Sequence, residues 1–161
     1  MRQLKVLKQI IFSAALLAAG AASATDGSET LDALSRWQEE PRTIFEASEV
    51  DIDAFKWIAR PVVVFSDTPA NPAFQQQMNL LTARIEELVA RDVILIVDTD
   101  PEERSDLRRK LRPRGFMLTL IGKDGGVKLR KPFPWDVREL TRSIDKMPLR
   151  LQELRERRAS E

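Results

Sequence analysis

The sequence predicts an α/β fold: a four-stranded mixed sheet with a helical extension in front of it. Three observations carry this. Val62-Val63-Val64-Phe65 and Val93-Ile94-Leu95-Ile96-Val97 are apolar on both faces and rich in β-branched residues, as strands buried on both sides are. Between them Phe74, Met78, Leu81, Ile85 and Leu88 recur at helical spacing, which makes a βαβ unit with parallel strands. Downstream, Phe116 to Ile121 leads through Asp124-Gly125-Gly126 into the alternating Val127-Lys128-Leu129-Arg130, the pattern of a hairpin.

The elements follow in order. Residues 1–24 contain no acid, and Arg2, Lys5 and Lys8 precede an apolar run from Ile10 to Ala22. Ala22-Ser23-Ala24 is a small-x-small cleavage site, so 1–24 is expected to be a signal peptide cut after Ala24. The run is shorter than the roughly 20 residues that span a bilayer. The mature chain is therefore expected to be exported, periplasmic, and without a transmembrane segment. Residues 25–59 form the extension, in which Leu31, Leu34 and Trp37 mark a short helix ending before Pro41. Asn71 is placed to cap the helix of the βαβ unit with Pro72 in its first turn, and that helix is expected to run to about Arg91. Asp100, Pro101 and Glu103 are expected to open the next helix, which carries Leu107 and Leu111 and stops at Pro113. Val137, Leu140, Ile144 and Met147 line one face of a last helix, closing a domain over 60–148. Residues 149–161 are a charged tail with helical character.

Composition removes whole classes of chemistry. The chain has no cysteine and no histidine. It therefore offers no thiol nucleophile, no disulfide, no imidazole or thiolate metal site and no Ser-His-Asp triad. Cofactors and metals are not expected. Asp98, Asp100, Glu102 and Glu103 lack the glycine and late glutamate of a calcium loop, and helix capping accounts for them. Charge is polarised: 17 acids against 6 bases over Thr25–Glu103, and 8 acids against 17 bases over Arg104–Glu161. Acidic and basic segments can neutralise each other once folded. The basic part, which includes Arg108-Arg109-Lys110, is also a candidate surface for anions such as lipid head groups. No nucleic-acid motif is present.

A parallel βαβ half followed by a hairpin and a helix is the thioredoxin core. More specifically, the stretch from Arg60 to Glu153 resembles an exported thioredoxin-like family catalogued as a domain of unknown function (DUF4174). Three blocks carry the resemblance: Arg60-Pro61-Val62-Val63-Val64-Phe65, Leu120 to Arg130 around Gly122-Lys123-Asp124-Gly125-Gly126, and Ile144-Asp145-Lys146-Met147-Pro148-Leu149-Arg150 continuing to Glu153. It implies a fold and an exported location, not a reaction.

Redox members of that fold carry Cys-x-x-Cys after the first core strand, at a helix N-terminus that lowers the thiol pKa. Counting from Phe65, the matching tetrad is Ala70-Asn71-Pro72-Ala73. Counting back from Lys123, Met117 stands where the fold places a cis-proline, and a trans bond is expected before it. Thiol–disulfide exchange is excluded. Ser66, Asp67, Thr68 and Asn71 are expected at the mouth of the fold, with Arg114, Gly115 and Met117 approaching from the loop before the third strand. Backbone N–H groups at that helix start could hold an anion or a peptide carbonyl. Lys128 and Arg130 share a strand face and are placed to meet Lys123 or Arg114. The favoured expectation is a non-catalytic module binding a protein, a peptide or an anionic envelope component. The alternative is an enzyme of non-thiol chemistry using Asp67, Ser66 and Arg114 on an anionic small molecule.

Overall fold

The computed structural model describes residues 32–161. The leader at 1–24 and the first residues of the 25–59 extension, Leu31 among them, lie outside the described residues. Among those described, no helix is long and apolar enough to cross a membrane.

The fold is α/β and thioredoxin-like, with a mixed sheet and six helices: α1 (Ala33–Glu39), β1 (Ile44–Glu46), β2 (Arg60–Phe65), α2 (Pro72–Ala83), α3 (Ile85–Val89), β3 (Val93–Asp98), α4 (Asp106–Leu111), β4 (Met117–Ile121), β5 (Val127–Lys131), α5 (Val137–Asp145) and α6 (Pro148–Ser160). The strands lie in the order β1-β3-β2-β4-β5. β2 and β3 are parallel and central, with Val62 opposite Leu95. β4 runs antiparallel to β2, and β5 antiparallel to β4. All six residues of β2 and all six of β3 are buried, as the two-faced apolar runs predict.

The expected four-stranded sheet has a fifth strand. Ile44-Phe45-Glu46 pairs in parallel with Leu95-Ile96-Val97 of β3. Only Phe45 of these three is buried. One apolar side chain in a three-residue strand leaves no periodicity to read. The strand exists because β3 offers it an open edge.

The two faces of the sheet are covered by different elements. Val63, Phe65, Ile94 and Ile96 pack with Trp37, Phe55, Leu107 and Leu111, under α1, α4 and the 3-10 turns Ala47–Glu49 and Ile52–Phe55. Val62, Val64, Leu95 and Leu118 pack with Leu81, Leu88, Leu140 and Ile144, under α2, α3 and α5.

Three helix boundaries depart from expectation. The helix from Pro72 breaks at Arg84, whose backbone (φ −130°, ψ 33°) leaves the helical region before α3 begins. The Arg84 guanidinium there grips Glu87 through two hydrogen bonds of 2.6 and 2.8 Å. The helix expected to start at Asp100 starts at Asp106 with Ser105 as its cap. Asp100 instead closes a local turn, accepting from the Glu102 N–H at 2.8 Å. Ser105 wins because its hydroxyl both accepts from the Arg108 N–H and donates to the buried Asp98. Met147, expected on the face of the last helix with Val137, Leu140 and Ile144, instead stands at the N-cap of α6, because Pro148 starts a new helix. Asn71 caps α2, accepting from the Ala73 and Phe74 N–H groups at 2.9 and 3.3 Å. Gly125 takes φ +79° in the hairpin, a conformation that only glycine adopts without strain.

Candidate functional site

The parallel pair β2–β3 has two ends, and charged side chains gather at both. At the carboxyl end stands the corner where the fold places its redox tetrad. Ser66 is fully buried. Its hydroxyl donates to the Thr68 carbonyl at 2.9 Å, and its N–H donates to the Asp98 carbonyl at 2.9 Å. The Ala70 N–H donates to Thr68 Oγ1 at 3.3 Å. Together with the Asn71 cap, these bonds occupy the N–H groups of Ala70, Ala73 and Phe74 with the chain's own side chains. Met117 lies opposite Phe65 in register, and no peptide bond among the described residues is cis.

Residues outside the expected set dominate this corner. The Arg108 guanidinium donates to Asp98 Oδ1 through Nε at 2.8 Å and through Nη2 at 2.6 Å. Nη2 also donates to the Ser66 carbonyl at 2.8 Å, and Nη1 lies 3.7 Å from Asp67 Oδ1. The Asp98 side chain is only 3% exposed and that of Arg108 11%, so the pair is held in a low-dielectric setting. Of the other expected residues, Asp67 is exposed beside this pair, and Gly115 approaches its carboxylate. Arg114 is exposed and takes no part in these bonds. Within the basic cluster that the sequence displays, nothing separates Arg108 from Arg109. The sign lies in pairing: Asp98 ends an apolar strand, and Arg108 sits one helical turn past a serine cap.

The amino end of the same strands is built from the resemblance blocks. Arg60 opens β2 and is 1% exposed. Its Nη1 donates to the Arg91 carbonyl at 2.9 Å and its Nη2 to Glu153 Oε1 at 2.8 Å. Lys123 bridges Asp92 at 2.8 Å and Glu153 at 3.0 Å. Arg150 of α6, also buried, donates to Glu153 Oε2 at 3.2 Å and to the Ala90 carbonyl at 3.1 Å. Arg91 clasps Asp145 through bonds of 2.9 and 2.7 Å. Burial opposes ionisation of Glu153, yet hydrogen bonds from Arg60, Lys123 and Arg150 outweigh it and hold its carboxyl down at about 2. The Nε atoms of Arg60 and Arg150 are buried without a hydrogen-bond partner among the described residues. The helical tail is thus anchored by Arg150 and Glu153 rather than by Leu151, which is exposed. A cavity of about 330 Å³ opens beside this network, lined by Trp57, Arg60, Lys123, Lys128, Met147 and Leu149 among others. Lys123 and Lys128 both line this cavity, while Arg130 turns to the Leu111 carbonyl at 2.6 Å.

Sheet order, helix placement and an alanine tetrad at the start of α2 define a thioredoxin-fold protein with no thiol, hence with no nucleophile for thiol–disulfide exchange. The chain belongs to the family described as a domain of unknown function, DUF4174, whose model matches residues 51–153. Its fold is similar to that of the reduced 2-Cys peroxiredoxin of Plasmodium vivax, at 12% identity and a TM-score of 0.51, over 60% of this chain and 81% of that one. It is also similar to reduced desulfothioredoxin from Desulfovibrio vulgaris Hildenborough, at 23% identity and a TM-score of 0.46, over 65% of this chain and 98% of that one. No curated protein matches the chain.

Proposed function

We propose that this chain is a non-catalytic, exported thioredoxin-fold module that binds an anionic component of the cell envelope. The observation that carries this is the state of the redox corner. Its two sulfur positions are Ala70 and Ala73, and the polar groups around them are engaged with one another. These bonds leave the exposed Asp67 carboxylate beside a Ser66 hydroxyl that is already committed to the Thr68 carbonyl. The enzymatic alternative draws Ser66, Asp67 and Arg114 onto one substrate. Against it stands the buried, engaged hydroxyl of Ser66. The surplus of bases over acids in the C-terminal part supports an anionic partner.

The test has two parts. Mass spectrometry of the chain recovered from the periplasmic fraction is expected to find Thr25 as its first residue. Heteronuclear NMR against anionic, neutral and cationic small molecules at two ionic strengths is expected to show reversible shifts with anions, weakening with salt. Turnover of any of these compounds that disappears in Asp67→Asn would overturn the non-catalytic reading in favour of the enzyme.

A further inference from the structure

The cavity at the amino end of β2 combines groups that a structural ion-pair network does not need. Its wall includes the N-terminus of α6, at Met147, Pro148 and Leu149. α6 is 13 residues long, has no side-chain cap and carries no acid in its first turn. Pro148 brings no N–H, so the unpartnered donors of that first turn fall to Leu149 and Arg150, at the positive end of the helix dipole. This contrasts with α1, α2, α4 and α5, each of which begins with a capping side chain.

A second observation is independent of the helix. Arg60, buried to 1% exposure, lines the same cavity and brings its charge to the wall, while its Nε, without a partner among the described residues, lies too deep for a ligand in the cavity to reach. Lys123 uses two of its three ammonium protons on Asp92 and Glu153. Lys128 stands at the rim, paired to Asp124 at 2.6 Å. The lining holds three cations and one carboxylate.

The third observation concerns Trp57. Its ring is 62% exposed and forms part of the lining. Its φ is +67°, which a bulky residue adopts only under constraint, and its N–H is tied to the Lys123 carbonyl at 2.7 Å. An exposed aromatic ring on a strained backbone thus forms part of the wall of a cationic cavity. A neighbouring recess of about 280 Å³ shares Lys128, Met147 and Pro148 with it and adds apolar wall from Leu120 and Leu129.

We infer that this cavity is a binding site for a small organic phosphate, its oxyanion held by the α6 N-terminus, Lys128 and the third ammonium proton of Lys123, and its apolar body resting on Trp57. The site presupposes the binding role proposed above and adds to it a place and a ligand class. It lies at the opposite end of the sheet from the alanine tetrad, and all three resemblance blocks contribute to it: Arg60 from the first, Gly122, Lys123 and Lys128 from the second, and Met147 to Leu149 from the third.

The test is titration of the full chain with phenyl phosphate and with inorganic phosphate, followed by calorimetry and by amide shifts. The expected result is binding of phenyl phosphate with the largest shifts at Lys123, Leu149 and Arg150. Lys128→Glu, at an exposed position, is expected to weaken both ligands about tenfold, whereas the matched charge reversal Arg142→Glu on α5 leaves them unchanged. Trp57→Gly is expected to cost about fivefold for phenyl phosphate and nothing for inorganic phosphate, since only the former has a ring to stack. Several results would overturn the site: no phosphate binding, binding whose shifts centre on Ala70 and Asn71, or binding only to vesicles of anionic lipid. Release of phenol would leave the site standing and sink the non-catalytic reading, so the two failures are distinguishable.

Discussion

At the carboxyl end of β2 and β3, Arg108 spends its guanidinium on Asp98, the Ser66 carbonyl and Asp67. At the amino end, Arg60 makes two bonds and leaves its Nε buried and without a partner among the described residues, with Arg150 Nε in the same condition. Both arginines are largely buried and both have carboxylate partners, so burial and pairing alone do not tell a structural arginine from a receptive one. The donors beside each one do. At the carboxyl end the N–H groups of Ala70, Ala73 and Phe74 and the hydroxyl of Ser66 are taken by the chain's own acceptors, with the Asp67 carboxylate exposed beside them. At the amino end the start of α6 has no side-chain cap, Lys123 uses two of its three ammonium protons, and a cavity lies beside both.

This contrast can be broken by mutation, and the largest effect is expected at the carboxyl end. Asp98→Ala strands Arg108 as an uncompensated buried charge, and denaturant unfolding is expected to show a loss of about 3–5 kcal/mol at unchanged m-value. A loss below about 1 kcal/mol would mean that water reaches the guanidinium.

At the amino end Glu153→Gln is expected to cost less, about 1.5–3 kcal/mol at neutral pH, because the charged hydrogen bonds from Arg60, Lys123 and Arg150 weaken while the shape is kept. Its pH dependence has a definite sign. The folded carboxyl lies at about 2, below the usual value of 4.5. Its contribution is therefore fully present above about 4.5 and disappears as the pH falls through about 2. The stability gap between the native chain and Glu153→Gln should narrow across that window. A gap that stays constant from pH 5 to pH 2 would contradict the pairing.

Asn71→Ala sharpens the comparison from the other side. It removes the cap from α2 and frees the Ala73 and Phe74 N–H groups, at an expected cost of about 1 kcal/mol by thermal or denaturant unfolding. The smallest expected effect is a gain. Trp57→Gly relieves a positive φ at a side chain that is mostly exposed, and a rise of a few tenths to about 1 kcal/mol is expected. A marked loss instead would show that the ring packs as part of the core rather than as a rim.

Much of the fold was legible because its signals are local. The runs of β2 and β3, the Asn71-Pro72 start of α2 and the Gly125 turn each depend on a few adjacent residues whose conformational preferences agree with the final structure. The misses share the opposite property. β1 needs the free edge of β3. The start of α4 shifts from Asp100 to Ser105 because Asp98, seven residues earlier, is buried and wants the Ser105 hydroxyl. The break at Arg84 accompanies a bidentate grip on Glu87.

The candidate sites divide the same way. From the sequence come the lack of any thiol and the replacement of the redox tetrad by Ala70-Asn71-Pro72-Ala73, because residue identity alone settles whether a nucleophile exists. The three resemblance blocks were visible as well, but not their meeting place. Only the tertiary structure brings Arg60 and Glu153, 93 positions apart, to 2.8 Å, and sets the uncapped start of α6 beside Lys123. Composition decides which reactions are impossible. Where charge is left unsatisfied depends on distances of a few ångströms in a low-dielectric interior, and only the packed chain sets those.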